Sequence, residues 1–234
     1  DGSDYVGWQK QKNGPSIQDA VEVAIKELTG EKTSVFGSGR TDAGVHALEQ
    51  VAHFNLSKNF SVNRIRDGLN HYLRPQPIAI LKANRVKNVF HARFSAKKRT
   101  YEYIITNRRP PLTIYRNKSW SVFKKLDINR MVYESKFFLG KNNLEAFRSI
   151  ACQANSPIKT IDEIKIIKKK QNVMIKVSAK SFLHSQVRIM VGTLVEIGKG
   201  KITSSIKKII ENQKRSKAGV TAPACGLYLK KIYY

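Results

Sequence analysis

A carboxylate in a glycine-rich loop is the group in this chain best suited to chemistry. Residues 37–46 read GSGRTDAGVH and place Asp42 two positions after Arg40. Glycines in such a run allow a sharp turn and a close approach of the backbone to a substrate. An ionised Asp42 can act as a nucleophile or as a general base. Arg40 can either pair with it and keep it ionised or contact a substrate phosphate.

The same loop also fits a plain turn in which Asp42 bonds only its neighbouring backbone. A nucleotide phosphate loop is not indicated. The segment lacks the Lys-Ser/Thr ending of a P-loop and the complete G-x-G-x-x-G run of a dinucleotide-binding fold. Spacing alone therefore leaves both catalysis and a structural turn open.

The residues around the loop predict the elements that must position it. Apolar and β-branched residues at 35–36 and 51–54 predict buried strands, so we expect Asp42 on a tight loop between two strands. A helix with a 3.6-residue apolar period is predicted before the loop, with Ser16 at its start and Gly30 at its end.

Further elements follow along the chain. A second helix begins at Ser61 and is ended by Pro75. The remaining predictions are strands at 78–86 and 99–106, a helix at 127–138, strands at 161–169 and 173–179, helices at 186–197 and 205–213, and a last strand at 227–233. The Arg-Arg-Pro-Pro run at 108–111 is the predicted domain junction. It separates an N-terminal lobe, 1–107, which carries the Asp42 loop, from a strongly basic C-terminal lobe, 108–234. The fold class is α+β, with two lobes and a basic cleft between them.

The charge of the chain indicates a polyanionic partner. Lysine and arginine number 43 against 17 acidic residues, a net charge of +26. Residues 1–105 carry 16 basic and 10 acidic side chains, and residues 106–234 carry 27 and 7. Nucleic acid is the first candidate partner and an anionic membrane surface the second.

Several protein classes are disfavoured by the sequence. The chain has no run of eighteen apolar residues and no sign of a signal peptide, so it is not expected to span a membrane, and nucleic acid is preferred to a membrane as its partner. Its two cysteines show no C-x-x-C spacing and its five histidines are scattered, which argues against a metal site and favours reduced thiols in the cytoplasm.

Together with the Asp42 loop, two further motifs give the chain a resemblance to the TruA-type tRNA pseudouridine synthases. They are HARFSA at 91–96 and RTYEY at 99–103. Other matches span nearly the whole chain in the family's order: GWQ at 7–9, Gln11, Phe147-Arg148, Cys152-Gln153, FLH at 182–184, Val187-Arg188, Val191-Gly192, APA at 222–224 and GLYL at 226–229. The resemblance implies the pseudouridine synthase fold, with a mostly antiparallel sheet, and a C-terminal lobe that completes the active site.

The resemblance also implies roles for individual residues. Asp42 matches the catalytic aspartate and Arg40 its partner arginine. Tyr101 matches the active-site tyrosine that stacks on or holds the target base, and Arg188 matches a salt-bridge partner of Asp42. In the closing GLYL segment, Leu227 is expected to line the uracil pocket.

Other positions of the resemblance bear on substrate fit. Leu229 is close enough to be an alternative to Leu227. His184 is expected to be structural or to face a phosphate of the substrate, because no second acid–base partner is evident. Glu49 stands where the family commonly has Gly, and Ser185 where it has His. The family also has a strand before the position that matches the first residue of this chain; if the protein lacks that opening strand, we expect an exposed sheet edge.

The implied activity is the isomerisation of uridine to pseudouridine at positions 38, 39 and 40 in the anticodon stem-loop of tRNA. In this reaction the target base must be taken out of its stack, and no cofactor or metal is required. The implied partners are tRNA and a second copy of the chain in a homodimer.

Two rival classes remain. In an RNA-binding domain the loop would contact phosphate, but an ionised Asp42 repels phosphate. A glycosidase needs two carboxylates and a nuclease a metal cluster, and no second acid is evident near Asp42.

Overall fold

The computed structural model covers residues 1–234 in two units. The first unit comprises Asp1–Ala96 together with Tyr234, and the second comprises Lys97–Tyr233. The predicted junction at Arg108 lies one strand further along the chain. The division falls earlier because the strand Lys98–Asn107 is hydrogen bonded on both edges to strands of the second unit.

The first unit combines two helices with short strands. The helices are α1 (Ile17–Thr29) and α2 (Val62–Tyr72), and the strands are β1 (Phe36–Gly37), β2 (His46–Ala47) and β3 (Ala52–His53). The predicted first helix is confirmed, and so are the residues predicted to begin and end it. The Ser16 hydroxyl accepts a hydrogen bond from the Asp19 amide (3.2 Å), and Gly30 ends the helix at φ +76°. The second helix is also confirmed.

The core of the first unit joins the two helices to the start of the chain. Its buried members are Trp8, Val21, Ala24, Ile25, Val35, Leu69 and Leu73. The predicted strand at 78–86 is wrong, because these residues form no ladder. Asn70 of α2 instead donates to the Ile80 carbonyl (2.9 Å) and accepts from the Ile80 amide (2.8 Å), so a side chain takes the backbone bonds that a neighbouring strand would have supplied.

The second unit is built on an antiparallel sheet. Its strands are β4 (Lys98–Asn107), β5 (Trp120–Val122), β6 (Gly140–Asn143), β7 (Ile158–Lys169), β8 (Asn172–Ala179) and β9 (Leu227–Tyr233). The order is β9-β4-β8-β7-β6, with antiparallel neighbours throughout, and β5 adds a short parallel pairing to β4. The helices are α3 (Ile128–Ser135), α4 (Gln186–Gly198) and α5 (Ile206–Asn212). The predicted α+β class with a mostly antiparallel sheet is confirmed.

The predicted strands and helices of this unit agree with the structure to within a few residues. The helix predicted at 127–138 ends as an α-helix at Ser135 and continues as one 3-10 turn, 136–138. The short strands β5 and β6 were not predicted, because three or four residues are too few to show a period. None of the helices is both long and apolar enough to cross a bilayer.

Candidate active site

The loop between β1 and β2 holds Asp42 half-buried, with its backbone fixed on both sides. The Trp8 amide donates to the Thr41 carbonyl (3.1 Å), and the Val45 amide donates to the Asp42 carbonyl (3.1 Å). Gly44 completes this turn at φ +74°, a conformation that favours glycine. These bonds restrict the directions in which the carboxylate can point.

The segment around Gly7, near the start of the chain, packs closely against the loop. Gly7 has φ +112°, and a Cβ there would fall well inside contact distance of the Thr41 carbonyl oxygen. A Cβ on Gly37 would lie 2.5 Å from the Trp8 ring. The GWQ motif at 7–9 was a match of the resemblance, but the sequence did not show that it supports the Asp42 loop.

The glycine-rich part of the loop is hydrogen bonded to the residues just before β3. The Ser38 amide donates to the Val51 carbonyl (2.8 Å), and the Ser38 hydroxyl donates to Oε1 of Gln50 (2.6 Å). Nε2 of Gln50 donates in turn to the Gly39 carbonyl (2.9 Å). Arg40, the next residue, is exposed.

The far end of the loop is held by a histidine. His46 is buried, and its Nδ1 accepts from the Gly2 amide (3.1 Å) and lies 3.1 Å from a carboxylate oxygen of Asp1. Its contacts tie the loop to the start of the chain, a structural role.

In the second unit, Tyr101 lies on β4 with its ring supported by an aromatic neighbour. Phe182 meets the Tyr101 ring edge to face, with centroids 5.3 Å apart and an interplanar angle of 86°. The β4–β9 ladder is irregular between Thr100 and Tyr101. Such an irregularity re-aims the side chain beside it. Phe182 was part of the FLH match, but its contact with Tyr101 was not predicted.

The two leucines of β9 differ in their neighbours. Leu229 is the register partner of Tyr101, whereas Leu227 is the register partner of Tyr103. Two residues apart on one strand, both leucines face the same side of the sheet. Leu229 is fully buried and Leu227 is 6% exposed. The structure thus sets the alternative, Leu229, beside Tyr101 in register, and Leu227 beside a buried core tyrosine.

Arg188 and His184 lie at the start of α4. Nε of Arg188 donates to the Ala222 carbonyl (2.8 Å), and the Ala222 amide donates to the Arg188 carbonyl (3.1 Å). The first bond orients the half-buried guanidinium, and the second fixes the backbone that carries it. His184 is exposed, and its backbone accepts from the Ser149 amide (3.1 Å) and donates to the Cys152 sulfur (3.4 Å).

Beneath these residues, Tyr103 anchors the centre of β4. Burial raises the pKa of Tyr103, so its hydroxyl stays protonated and donates to the Pro223 carbonyl (2.7 Å). The predicted site residues are thus divided between the units: Asp42 and Arg40 belong to the first, and Tyr101, His184, Arg188 and Leu227 to the second. No three His, Cys, Asp or Glu side chains form a metal-binding group.

Comparison with known proteins agrees with these motifs. A family model described as tRNA pseudouridine synthase matches residues 1–95 and 135–234. Over its full length the chain is 53% identical to the tRNA pseudouridine synthase A of Wolbachia pipientis wMel, covering 96% of that protein. It is 48% identical to the protein of the same name from Ehrlichia chaffeensis, covering 96% of it, and 46% identical to that of Maricaulis maris, covering 94%.

Proposed function

Because the chain belongs to the tRNA pseudouridine synthase family, we propose that it isomerises uridine to pseudouridine at positions 38, 39 and 40 in the anticodon stem-loop of tRNA. The observation that carries this proposal is the loop of residues 37–46. It presents a half-buried Asp42 whose backbone is fixed on both sides, inside the matched part of the chain.

The reaction conserves atoms and redox state. The bond from N1 of uracil to C1′ of the ribose breaks, the base turns, and a bond from C5 to C1′ replaces it. The proton on C5 passes to solvent and N1 gains one, so no cofactor is required. Asp42 starts the exchange either by attacking C1′ or by removing a ribose proton.

The cationic residues support this carboxylate and the RNA. Arg188, whose guanidinium is oriented by its bond to the Ala222 carbonyl, is the arginine we assign to stabilise ionised Asp42. Arg40 is exposed on the same loop as Asp42 and is assigned to a phosphate near the target. His184, also exposed, is assigned to substrate binding and not to proton transfer.

Aromatic and apolar residues hold the extracted base. The Tyr101 ring, supported by Phe182, occupies the place of a neighbouring base or holds the uracil. Leu227 lines the apolar side of the uracil pocket. Since Leu229 is the register partner of Tyr101, a comparison of alanine variants at 227 and 229 measures which leucine contributes.

The proposed tRNA substrate determines which partners we expect the enzyme to bind. A net charge of +26 suits recognition of tRNA through its backbone, which allows several adjacent uridines to be modified. We propose a homodimer acting in the cytoplasm, as the resemblance implies. Sedimentation of the purified chain with and without tRNA measures the oligomeric state.

Tritium release from C5 of labelled uridine in a tRNA transcript tests the proposed function. We expect release by the wild-type protein, none above background by Asp42→Asn, and none from a transcript without uridine at 38–40. Asp67→Asn is the matched control, because Asp67 is an exposed aspartate of the same unit, paired to its neighbour Arg66. Tight RNA binding without release from any uridine would refute the proposal and favour an RNA-binding role.

A further inference from the structure

An exposed aromatic surface lies on the first unit, beside the strand that leads into the Asp42 loop. We call Phe36, His91 and Phe94 the aromatic platform. The ring centroids of Phe36 and His91 are 5.9 Å apart, and those of His91 and Phe94 are 4.4 Å apart. Phe36 is 49% exposed and Phe94 is 75% exposed. Large aromatic side chains at this exposure point to a partner that covers them.

The platform rests on a rigid base. His53 pairs across β1–β3 with Phe36, stacks on its ring at 5.2 Å, and lies 4.6 Å from the His91 ring. Nδ1 of His53 accepts from the Ala92 amide (3.2 Å), and the Ala92 carbonyl accepts from the Tyr234 hydroxyl (2.7 Å). Burial, and then the charge of His91, lower the pKa of His53, so the ring beneath the platform stays neutral.

The turn that carries Phe94 fixes the orientation of its histidine. Nδ1 of His91 accepts from the amides of Arg93 (3.1 Å) and Phe94 (3.4 Å). These two bonds hold the His91 ring in a fixed orientation beside Phe94. The Arg93 guanidinium lies 5.5 Å from the centroid of the Phe94 ring and is exposed. A cation therefore borders the aromatic platform.

We propose that the aromatic platform stacks an unpaired base of the RNA substrate, a loop nucleotide near the target uridine, while Arg93 contacts its phosphate. This inference rests on the proposed function. Proteins bind single-stranded RNA through exposed aromatic rings beside basic side chains, because every base has a π face and every nucleotide has a phosphate. The net charge of +26 favours RNA as the occupant over a basic or neutral protein surface.

The position of the platform along the chain suits a nucleotide close to the reacting one. Phe36 precedes Asp42 by six residues, so their Cα atoms lie within about 20 Å of each other even if the chain between them is extended. The base is read by stacking alone, which tolerates any sequence. This tolerance suits an enzyme whose targets are three neighbouring positions with different flanking bases.

Kinetics of tritium release test the platform through three variants. For Phe94→Ala we expect kcat/KM to fall about tenfold, mainly through KM, because a lost base stack weakens binding. Phe94→Trp keeps a stacking surface and should stay within about twofold of the wild type. The matched control is Phe123→Ala, since Phe123 is a phenylalanine of the second unit that is also 75% exposed. A Phe94→Ala variant no more impaired than Phe123→Ala would overturn the proposal.

Photochemical cross-linking gives a second, activity-independent arm. Anticodon stem-loop RNA with 5-bromouridine at one loop position at a time is irradiated with the Asp42→Asn protein, and the linked residue is identified by mass spectrometry. We expect a cross-link to Phe36, His91 or Phe94 from at least one loop position. Cross-links confined to other residues would overturn the proposal. So would a Phe94→Ala substitution that changes the sedimentation of the protein but leaves the cross-linking unchanged, because that result indicates that the platform binds a protein partner.

The two arms keep the inference separate from the proposed function. If the wild-type protein released no tritium, the proposed function would fail, and the cross-linking arm would still decide whether the platform binds an RNA base. If tritium release were normal and both arms were negative, the platform alone would fail.

Discussion

The contact between Gly7 and the Asp42 loop gives the sharpest prediction for activity. A Cβ at Gly7 would require the Thr41 carbonyl oxygen to withdraw by about 1 Å before ordinary contact, 3.4 Å or more, was restored. The Thr41 carbonyl also accepts from the Trp8 amide (3.1 Å), and a withdrawal of this size would break that bond. Since Thr41 precedes Asp42, the substitution Gly7→Ala displaces the carboxylate.

The expected cost can be divided into two parts. A non-glycine residue at φ +112° is strained by about 1–3 kcal/mol. The lost hydrogen bond adds about 1 kcal/mol. Gly7→Ala should therefore lower the free energy of unfolding by about 2–4 kcal/mol. A displacement of about 1 Å at a catalytic group costs on the order of 100-fold in rate, so kcat should fall by about that factor.

Gly30→Ala is the matched control for backbone strain. Gly30 lies in the same unit at φ +76°, and nothing lies within 4 Å of an added Cβ. We expect this variant to lose about 1 kcal/mol of stability and to keep its activity. Urea unfolding and tritium release at saturating tRNA measure both quantities. A folded Gly7→Ala protein whose kcat is within about threefold of the Gly30→Ala value would refute the argument that this contact positions Asp42.

Two further predictions concern the second unit. Arg188→Lys keeps the charge but loses the Nε donor to the Ala222 carbonyl, so the cation is no longer oriented. We expect kcat/KM for tritium release to fall about 10- to 100-fold, while the free energy of unfolding falls by only about 1 kcal/mol, the contribution of one hydrogen bond. Hydrogen bonds from Lys165 and then Lys176 lower the pKa of Glu163 to about 2 from its ordinary 4.5. This carboxylate stabilises the fold above pH 4.5 and loses that effect as the pH falls towards 2. The difference in urea midpoint between the wild type and Glu163→Gln should therefore shrink over that range. A difference that is independent of pH would contradict the assignment.

Local signals explain which elements the sequence could predict. The first helix carries its own N-cap in Ser16 and its own C-terminal glycine in Gly30, so both boundaries were predictable from neighbouring residues. The strand predicted at 78–86 has an apolar pattern that suits a strand. It forms none because Asn70, eight residues before its first position, binds the Ile80 backbone. A side chain that competes for backbone bonds cannot be foreseen from apolar periodicity.

The same distinction applies to the candidate site. The Asp42 loop was visible in the sequence from its own residue types, whereas Tyr101 and Arg188 were predicted only from the resemblance to the family. Their supports were not visible. Gly7 reaches Thr41 across 34 positions, and Phe182 reaches Tyr101 across 81, so only the fold brings these pairs together.

The predicted site residues of the two units are positioned by different means. Tyr101 lies on a strand bonded on both edges, where the ladder fixes the backbone and resists change at any single neighbour. Asp42 lies between strands of two residues each, so its position depends on a few loop hydrogen bonds and on glycines that leave room for them. Substitutions around Asp42 should therefore reduce kcat even in protein that remains folded, whereas substitutions in β4 should reduce activity and stability together. This difference can be measured by comparing kcat with the free energy of unfolding across the two sets of variants.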